Sequence, residues 1–338
     1  MFNAKKLLKA LLVFLMVALC AMVALPVTAS ADGNSLYLGG FPAGFVLNTT
    51  TVEVIGICDV MTEDGMQSPA RDCGIKTGDV IDKINGREVN KTSDINKIIS
   101  DDYKKYEITI LRGKDELNLD IDPVKEMTTN AKRLGILVKD SINGIGTVTY
   151  VDRAAGKFAS LGHPVTDTRN NLVEINGGSM FGCVIYDVKR GVRGTPGELH
   201  GAFESNNMIG RAVKNCACGV YGDISSEIDY TKLEKVQKGS VESAKIGEAY
   251  IYSTLKGNSP KKYKISIAKV DKNNKDNRNY VIKVEDKELL EASGGIVQGM
   301  SGSPIVQDGK LIGAVTHVFI NDPTRGFGIA IDKMMSSY

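Results

Sequence analysis

The 338-residue chain has only three histidines, His163, His200 and His317. A hydrolytic centre in which an imidazole takes a proton from a hydroxyl must use one of them. The sharpest partner is a serine set among glycines, Gly299-Met300-Ser301-Gly302-Ser303-Pro304. The glycines let the chain turn tightly, so that the amides of Gly299 and Ser301 point into one pocket. There they would hold the oxyanion of a tetrahedral intermediate, at about 3 kcal/mol per donor. Turns use the same residues, but this string has an apolar run on both sides, and Ser301 is the candidate nucleophile. His163, in Ala159-Ser160-Leu161-Gly162-His163-Pro164, follows a β-like run and precedes the serine, and it is the first choice of base. His200 lies in a polar loop after Gly194-Thr195-Pro196-Gly197, and His317 lies in the strand beyond the nucleophile.

Positioning such residues takes a folded scaffold, and the composition supplies one. Hydrophobic residues are 42% and charged residues 24%, enough apolar side chains for about two cores at this length. The net charge of +2 gives no electrostatic case for nucleic acid. Thirty-six glycines spread along the chain indicate many tight turns between short strands. From Arg133 on, β-like runs recur: Leu134 to Val138, Thr147 to Val151, Phe158 to Leu161, Val184 to Val188, Ala249 to Leu255, Tyr263 to Val270, Tyr280 to Val284 and Lys310 to Val318. This spacing predicts an all-β sandwich or barrel over 133–338. Residues 36–123 read as a separate unit, with a hairpin at Asn85-Gly86, a helix capped at Thr92 or Ser93, and strands from Tyr106 to Leu111 and Glu116 to Ile121. Residues 124–132 read as the linker.

At the N-terminus, Lys5, Lys6 and Lys9 precede an apolar run from Ala10 to Leu25, followed by Pro26 and Ala29-Ser30-Ala31. This is the layout of an export signal over residues 1–31, cleaved after Ala31 or retained as a membrane anchor. Five cysteines follow: Cys58, Cys73, Cys183, Cys216 and Cys218. The odd number, and the closeness of Cys216 to Cys218, favour small buried thiols, with Cys58–Cys73 as the pair to test. No metal site and no cofactor fingerprint is present, so the chemistry expected needs neither.

Two resemblances sharpen this reading. The run Ser68-Pro69-Ala70, Gly74-Ile75, Gly78-Asp79-Val80-Ile81, Ile84-Asn85-Gly86 and Val89 resembles a PDZ domain. That implies a groove accepting a peptide as an added strand. The Gly39–Phe45 loop sits where such domains cradle a carboxylate, which assigns peptide binding to Gly44, Phe45 and Val46, although Pro42 lacks a donor. The Ser301 loop and the Lys310–His317 strand resemble those of trypsin-like enzymes, so the expected architecture is mainly β, a PDZ domain followed by a trypsin-like double β-barrel.

The C-terminal half as a whole resembles the stage IV sporulation protein B peptidases of spore-forming bacteria. It does so through Gly146-Thr147-Val148-Thr149, Leu161–Asp167, Arg190–Glu198, Gly294–Pro304 and Thr316–Pro323. The resemblance implies a serine endopeptidase with Ser301 as nucleophile, His163 as base and Asp286 as acid. On chain order alone Asp187, Asp223 and Asp229 also qualify as the acid. Thr316 is a possible support, its hydroxyl reaching the same carboxylate. The resemblance further implies self-processing, and then cleavage of a membrane-associated regulator outside the cytoplasm, between mother-cell and forespore membranes. A quality-control PDZ-protease usually carries its PDZ domain after the protease, which is not the order here. A non-enzymatic PDZ scaffold is the other alternative.

Overall fold

Alternating β-branched and aromatic residues broken by glycine turns build antiparallel strands, and twelve strands close into two rings of six. The computed structural model describes residues 35–101, 103–167, 170–226 and 228–337, and the export signal expected over residues 1–31 lies outside them. In the first ring, the long strand Pro42–Ile57 pairs with Ile136–Asp152 (Gly44 opposite Ile145) on one edge and with Ile175–Lys189 (Gly44 opposite Phe181) on the other. The ring continues through Glu198–Cys216, Gly219–Ile224 and Lys157–Ser160, and returns to Ile136–Asp152. The second ring runs Gly247–Ser253, Lys261–Val270, Tyr280–Val284, Asp322–Ala330, Lys310–Phe319 and Pro304–Gln307, and closes back on Gly247–Ser253. Closure removes exposed edges. Inward side chains fill each barrel: Phe45, Leu47, Val148, Phe158 and Met180 in the first, and Ile251, Ile265, Ile282, Ile305 and Val315 in the second. The expected double barrel is therefore the observed one.

The unit ahead of the barrels has its own core of Val52, Val54, Ile81, Ile84, Ile95, Ile98, Tyr106, Ile108 and Ile110. Asn85 and Gly86 both take positive φ (50° and 72°), the twist a two-residue hairpin needs between Val80–Ile84 and Arg87–Glu88. The helix Thr92–Ile99 buries Ile95, Ile98 and Ile99. Asp79 is buried and paired bidentately with Arg112, with both N–O distances at 2.8 Å. Burial alone would raise this carboxyl, but the Arg112 guanidinium and the Lys76 amide outweigh it and hold the pKa below the usual range.

One expectation fails here. Gly44, Phe45 and Val46 cannot receive a peptide strand, because Ile136–Asp152 and Ile175–Lys189 already hydrogen-bond both of their edges. The Phe203 ring occupies the place where a Cβ on Gly44 would stand. The segment from Leu36 to about Thr51 belongs to the first barrel, and the smaller unit begins near Val52, where the same strand pairs with Ile81. The Pro42–Ile57 strand thus runs through both cores, which the local pattern does not reveal.

Candidate active site

His163 follows the Lys157–Ser160 strand. Leu161 and Gly162 take left-handed φ of 66° and 69°, and this turns the chain sharply out of the first barrel. A Cβ on Gly162 would stand 3.0 Å from both Thr316 and Ile329, so the turn rests against the second barrel. Ser301 is carried by the second barrel, on the loop between the helix Lys287–Ser293 and the strand Pro304–Gln307. Gly299 and Gly302 flank it at φ +96° each, a conformation that side chains resist. The two residues come from opposite barrels and line one cleft of about 540 Å³. Thr316 and His317 line the same cleft.

Within the cleft the polar contacts are specific. The Ser301 hydroxyl donates to the Thr316 carbonyl at 2.7 Å. His163 Nδ1 faces the Pro164 carbonyl at 2.8 Å. Only an N–H suits that neighbour, so the contact assigns the Nδ1-protonated tautomer and leaves Nε2 with a lone pair. Desolvation lowers the His163 pKa more than this hydrogen bond raises it, so the ring is neutral at neutral pH. The His317 ring lies 4.9 Å from that of His163 at 39°, and its pKa is lowered by desolvation, by His163 and by Arg278. Thr316 is buried, and its hydroxyl oxygen has no partner among the described residues. No carbonyl among the described residues accepts from the amides of Gly299 or Ser301, whereas Met300, Gly302 and Ser303 all donate to the backbone. Two donors are thus left beside the serine.

Asp286 is placed elsewhere. Its carboxylate caps the helix Lys287–Ser293, accepting from the Leu289 amide at 3.1 Å and the Lys264 amide at 3.3 Å. It does not line the cleft. The order-based candidates are also committed to other contacts. Asp187 pairs with His200, Asp223 with Lys157, and Asp229 caps the turn Tyr230–Lys232. His200, flanked by Asp187 and Glu198, lies outside the cleft as well. The structure therefore brings His163, Ser301, Thr316 and the two amides together, does not bring Asp286 to them, and gives the orienting contact on His163 to a backbone carbonyl.

Two groups of supporting residues were not foreseen. Thr147 clamps the serine loop twice: its amide donates to Ser301 O at 3.0 Å and its hydroxyl to Gly299 O at 2.7 Å. Thr149 adds a third hold, hydroxyl to Gly302 O at 2.8 Å. The alternation in Gly146-Thr147-Val148-Thr149 was the available signal, since two hydroxyls share one strand face while Val148 faces the core. Asn215 holds the chain just past His163. It accepts from the Val165 amide at 2.9 Å and donates to the Val165 and Val173 carbonyls at 2.8 and 2.9 Å. Nothing local to Lys214-Asn215-Cys216 announces this role. None of the five described cysteines is bonded to another, and Cys73 donates to the Ala70 carbonyl.

The family model described as SpoIVB peptidase S55 matches residues 130–335, and a PDZ domain model matches 54–122. The mitochondrial serine proteases HTRA2 of Drosophila erecta and Drosophila yakuba are each 36% identical over 56 residues, which is 17% of this chain and 13% of theirs. The chain thus spans only a small part of the length of these curated relatives.

Proposed function

The chain belongs to the SpoIVB peptidase S55 family and is a serine peptidase with a PDZ domain ahead of its catalytic domain, and from that premise we propose a serine endopeptidase acting through a Ser301–His163 pair. The observation that carries the reading is the meeting of these two residues, one from each barrel, in one cleft with two unpartnered amides. As substrate enters, Ser301 gives up its hydrogen bond to Thr316 O, and His163 Nε2 accepts its proton while Oγ bonds to the peptide carbonyl carbon. The amides of Gly299 and Ser301 hold the oxyanion. The imidazolium returns its proton to the departing amine as the C–N bond breaks, and water, deprotonated by the same ring, then hydrolyses the acyl-enzyme. The Pro164 carbonyl keeps the Nδ1 proton in place and so orients the ring, the part usually played by a carboxylate.

The finer biology follows the family resemblance: export by residues 1–31, self-processing, and cleavage of a membrane-associated regulator during sporulation signalling. No helix among the described residues is long and apolar enough to cross a membrane. For the PDZ unit, the peptide edge moves to Ile136–Lys139. This stretch pairs with Glu53–Ile57 on one side, has no strand on the other among the described residues, and runs on to Asp140, which accepts from the Thr92 amide at the start of the helix Thr92–Ile99. Leu134-Gly135-Ile136 leads into it, with Gly135 at φ +71° and packed against the Cys58 carbonyl. An incoming chain would add there as a strand.

The test is self-cleavage. Residues 32–338 are expressed as wild type, Ser301→Ala and His163→Ala, incubated, and the fragments mapped by mass spectrometry. Fragments present only in the wild type support the reading. Intact masses in all three, together with no fluorophosphonate adduct on Ser301, favour the scaffold.

A further inference from the structure

Apart from His163 and His317, every residue lining the cleft is uncharged, so a charged substrate side chain meets its first fixed counter-charge beyond these walls. The Lys310–Phe319 strand leads outward from the serine. Asp322–Ala330 takes one of its edges as far as Phe319. The other edge is held by Pro304–Gln307 only up to Ala314, and then by Gly302 and Ser303 at Val315. Past Val315 that edge has no strand among the described residues. Beside it, Phe319 and Phe327 pack with ring centroids 4.6 Å apart at 49°. The Arg278 guanidinium lies over the Phe327 ring, 4.8 Å from its centroid. Arg278 also bears on His317, as the third influence, after desolvation and His163, that lowers the pKa of that ring. Arg325 shares the outer face with Phe327, because Gly326 and Gly328, which alternate with them, face Ile296 and Ile305 on the inside. Lys283 stands opposite Arg325 on the neighbouring strand. Arg278, Lys283 and Arg325 form no ion pair among the described residues, and Arg325 Nε is buried without a hydrogen-bond partner. Asp322, at the start of the same strand, is occupied by the Thr324 amide and hydroxyl. Stacking on Phe327 holds the Arg278 guanidinium flat and leaves its N–H edges free for a carboxylate.

We infer that Arg278, backed by Arg325, forms a subsite for an acidic side chain, an aspartate or glutamate at the second or fourth residue before the scissile bond. The inference rests on the serine peptidase reading and adds to it a class of substrate. A peptide laid on the open edge, antiparallel like the strand's other neighbours and with its scissile carbonyl at the Gly299 and Ser301 amides, runs its preceding residues from Thr316 past His317 toward Phe319. Alternate side chains of such a strand share a face, and at ~3.3 Å per residue the fourth lies about level with Phe319. There a carboxylate exchanges part of its hydration for hydrogen bonds to a guanidinium that has no competing acid.

The experiment measures covalent labelling of the full chain by peptidyl diphenyl phosphonates. All carry the valine analogue next to phosphorus, and they differ only in having glutamate, glutamine or lysine at the second or the fourth residue before it. Ser301 Oγ bonds to phosphorus, one phenoxide leaves, and the serine proton departs with it as phenol. At one of the two positions the wild type is expected to react with the glutamate probe ~5-fold faster than with the glutamine probe, the order an exposed charge pair gives, and slower still with lysine. That preference is expected to shrink in ~1 M salt. Arg278 is exposed, so its replacement spares the core. Arg278→Glu is expected to reverse the glutamate–lysine order, and Arg278→Lys, which keeps the charge without the planar fork, to retain part of it. Equal glutamate and glutamine rates at both positions, an unchanged glutamate-to-lysine ratio in Arg278→Glu, or reaction with a simple fluorophosphonate alone overturns the inference while leaving the peptidase reading standing. No label on Ser301 from any probe, the fluorophosphonate included, overturns both.

Discussion

Replacing Thr147 with valine deletes one hydroxyl and keeps the shape of the side chain. That hydroxyl is buried, and its bond to the Gly299 carbonyl is 2.7 Å long. Valine leaves that carbonyl without this partner, a loss of about 1–3 kcal/mol. Thr147 N still donates to Ser301 O, so the loop stays attached but loses its tie at the residue whose amide would serve the oxyanion. Part of the loss lowers global stability, where about 1 kcal/mol moves Tm by roughly 2–4 °C in a domain of this size. The rest appears in the transition state: kcat falls by about 10-fold for each 1.4 kcal/mol, with KM little changed, because the amides act on charge that develops only as bonds form. The assay is kcat and KM on a peptide cut by the wild type, with a thermal melt of the same samples. Thr147→Ser retains the donor and is expected to recover most of kcat. Valine equal to wild type in kcat, or serine as damaging as valine, would refute the clamp.

Three further outcomes follow from the same contacts. Asp286→Ala removes a helix cap and is expected to cost about 1 kcal/mol in a melt, while Asp286→Asn caps nearly as well and keeps activity within a few fold. A loss near 10⁴-fold in kcat for Asp286→Asn would instead make Asp286 a triad member. Because desolvation lowers the His163 pKa, kcat/KM is expected to fall on the acid side with a midpoint below 6.5, the ring losing its basic lone pair as it protonates. The same sign holds for stability: with the folded pKa below the unfolded value, protonation favours the unfolded chain, and stability drops as the pH falls through that window. An acid limb centred above 6.5 in the pH–rate profile would contradict this. Asn215→Leu removes three hydrogen bonds on the backbone beyond His163 and is expected to reduce kcat by about 10-fold or more while Ser301 remains reactive toward a fluorophosphonate; equal kcat would show that the loop holds itself.

Much of the site was readable locally because its chemistry rests on local rules. A serine between glycines, a scarce histidine after a β-like run, and strands at regular spacing are statements about neighbours in the chain. The structure sets Ser301 and His163 in one cleft, with one closed barrel contributing each. The Gly44–Val46 groove was misplaced for a related reason. Its pattern is that of a strand, and a strand does not show which partners take its two edges until hydrogen bonding across long sequence separations is settled.

What the sequence by itself determined is the inventory: mainly β structure, a small unit ahead of a larger one, and the residue types for acyl transfer. Only the tertiary structure decided which groups surround them. Thr147 reaches Gly299 across 152 positions, and Asn215 reaches Val165 across 50. The Asp286 carboxylate is drawn to one helix amide and to the Lys264 amide rather than to the imidazole. Ile296 packs against the Asp322–Ala330 strand only because Gly326 lies opposite. Each of these depends on how closed barrels bring distant strands within hydrogen-bond or van der Waals reach, and that reach is fixed by packing and register rather than by any pattern in neighbouring residues.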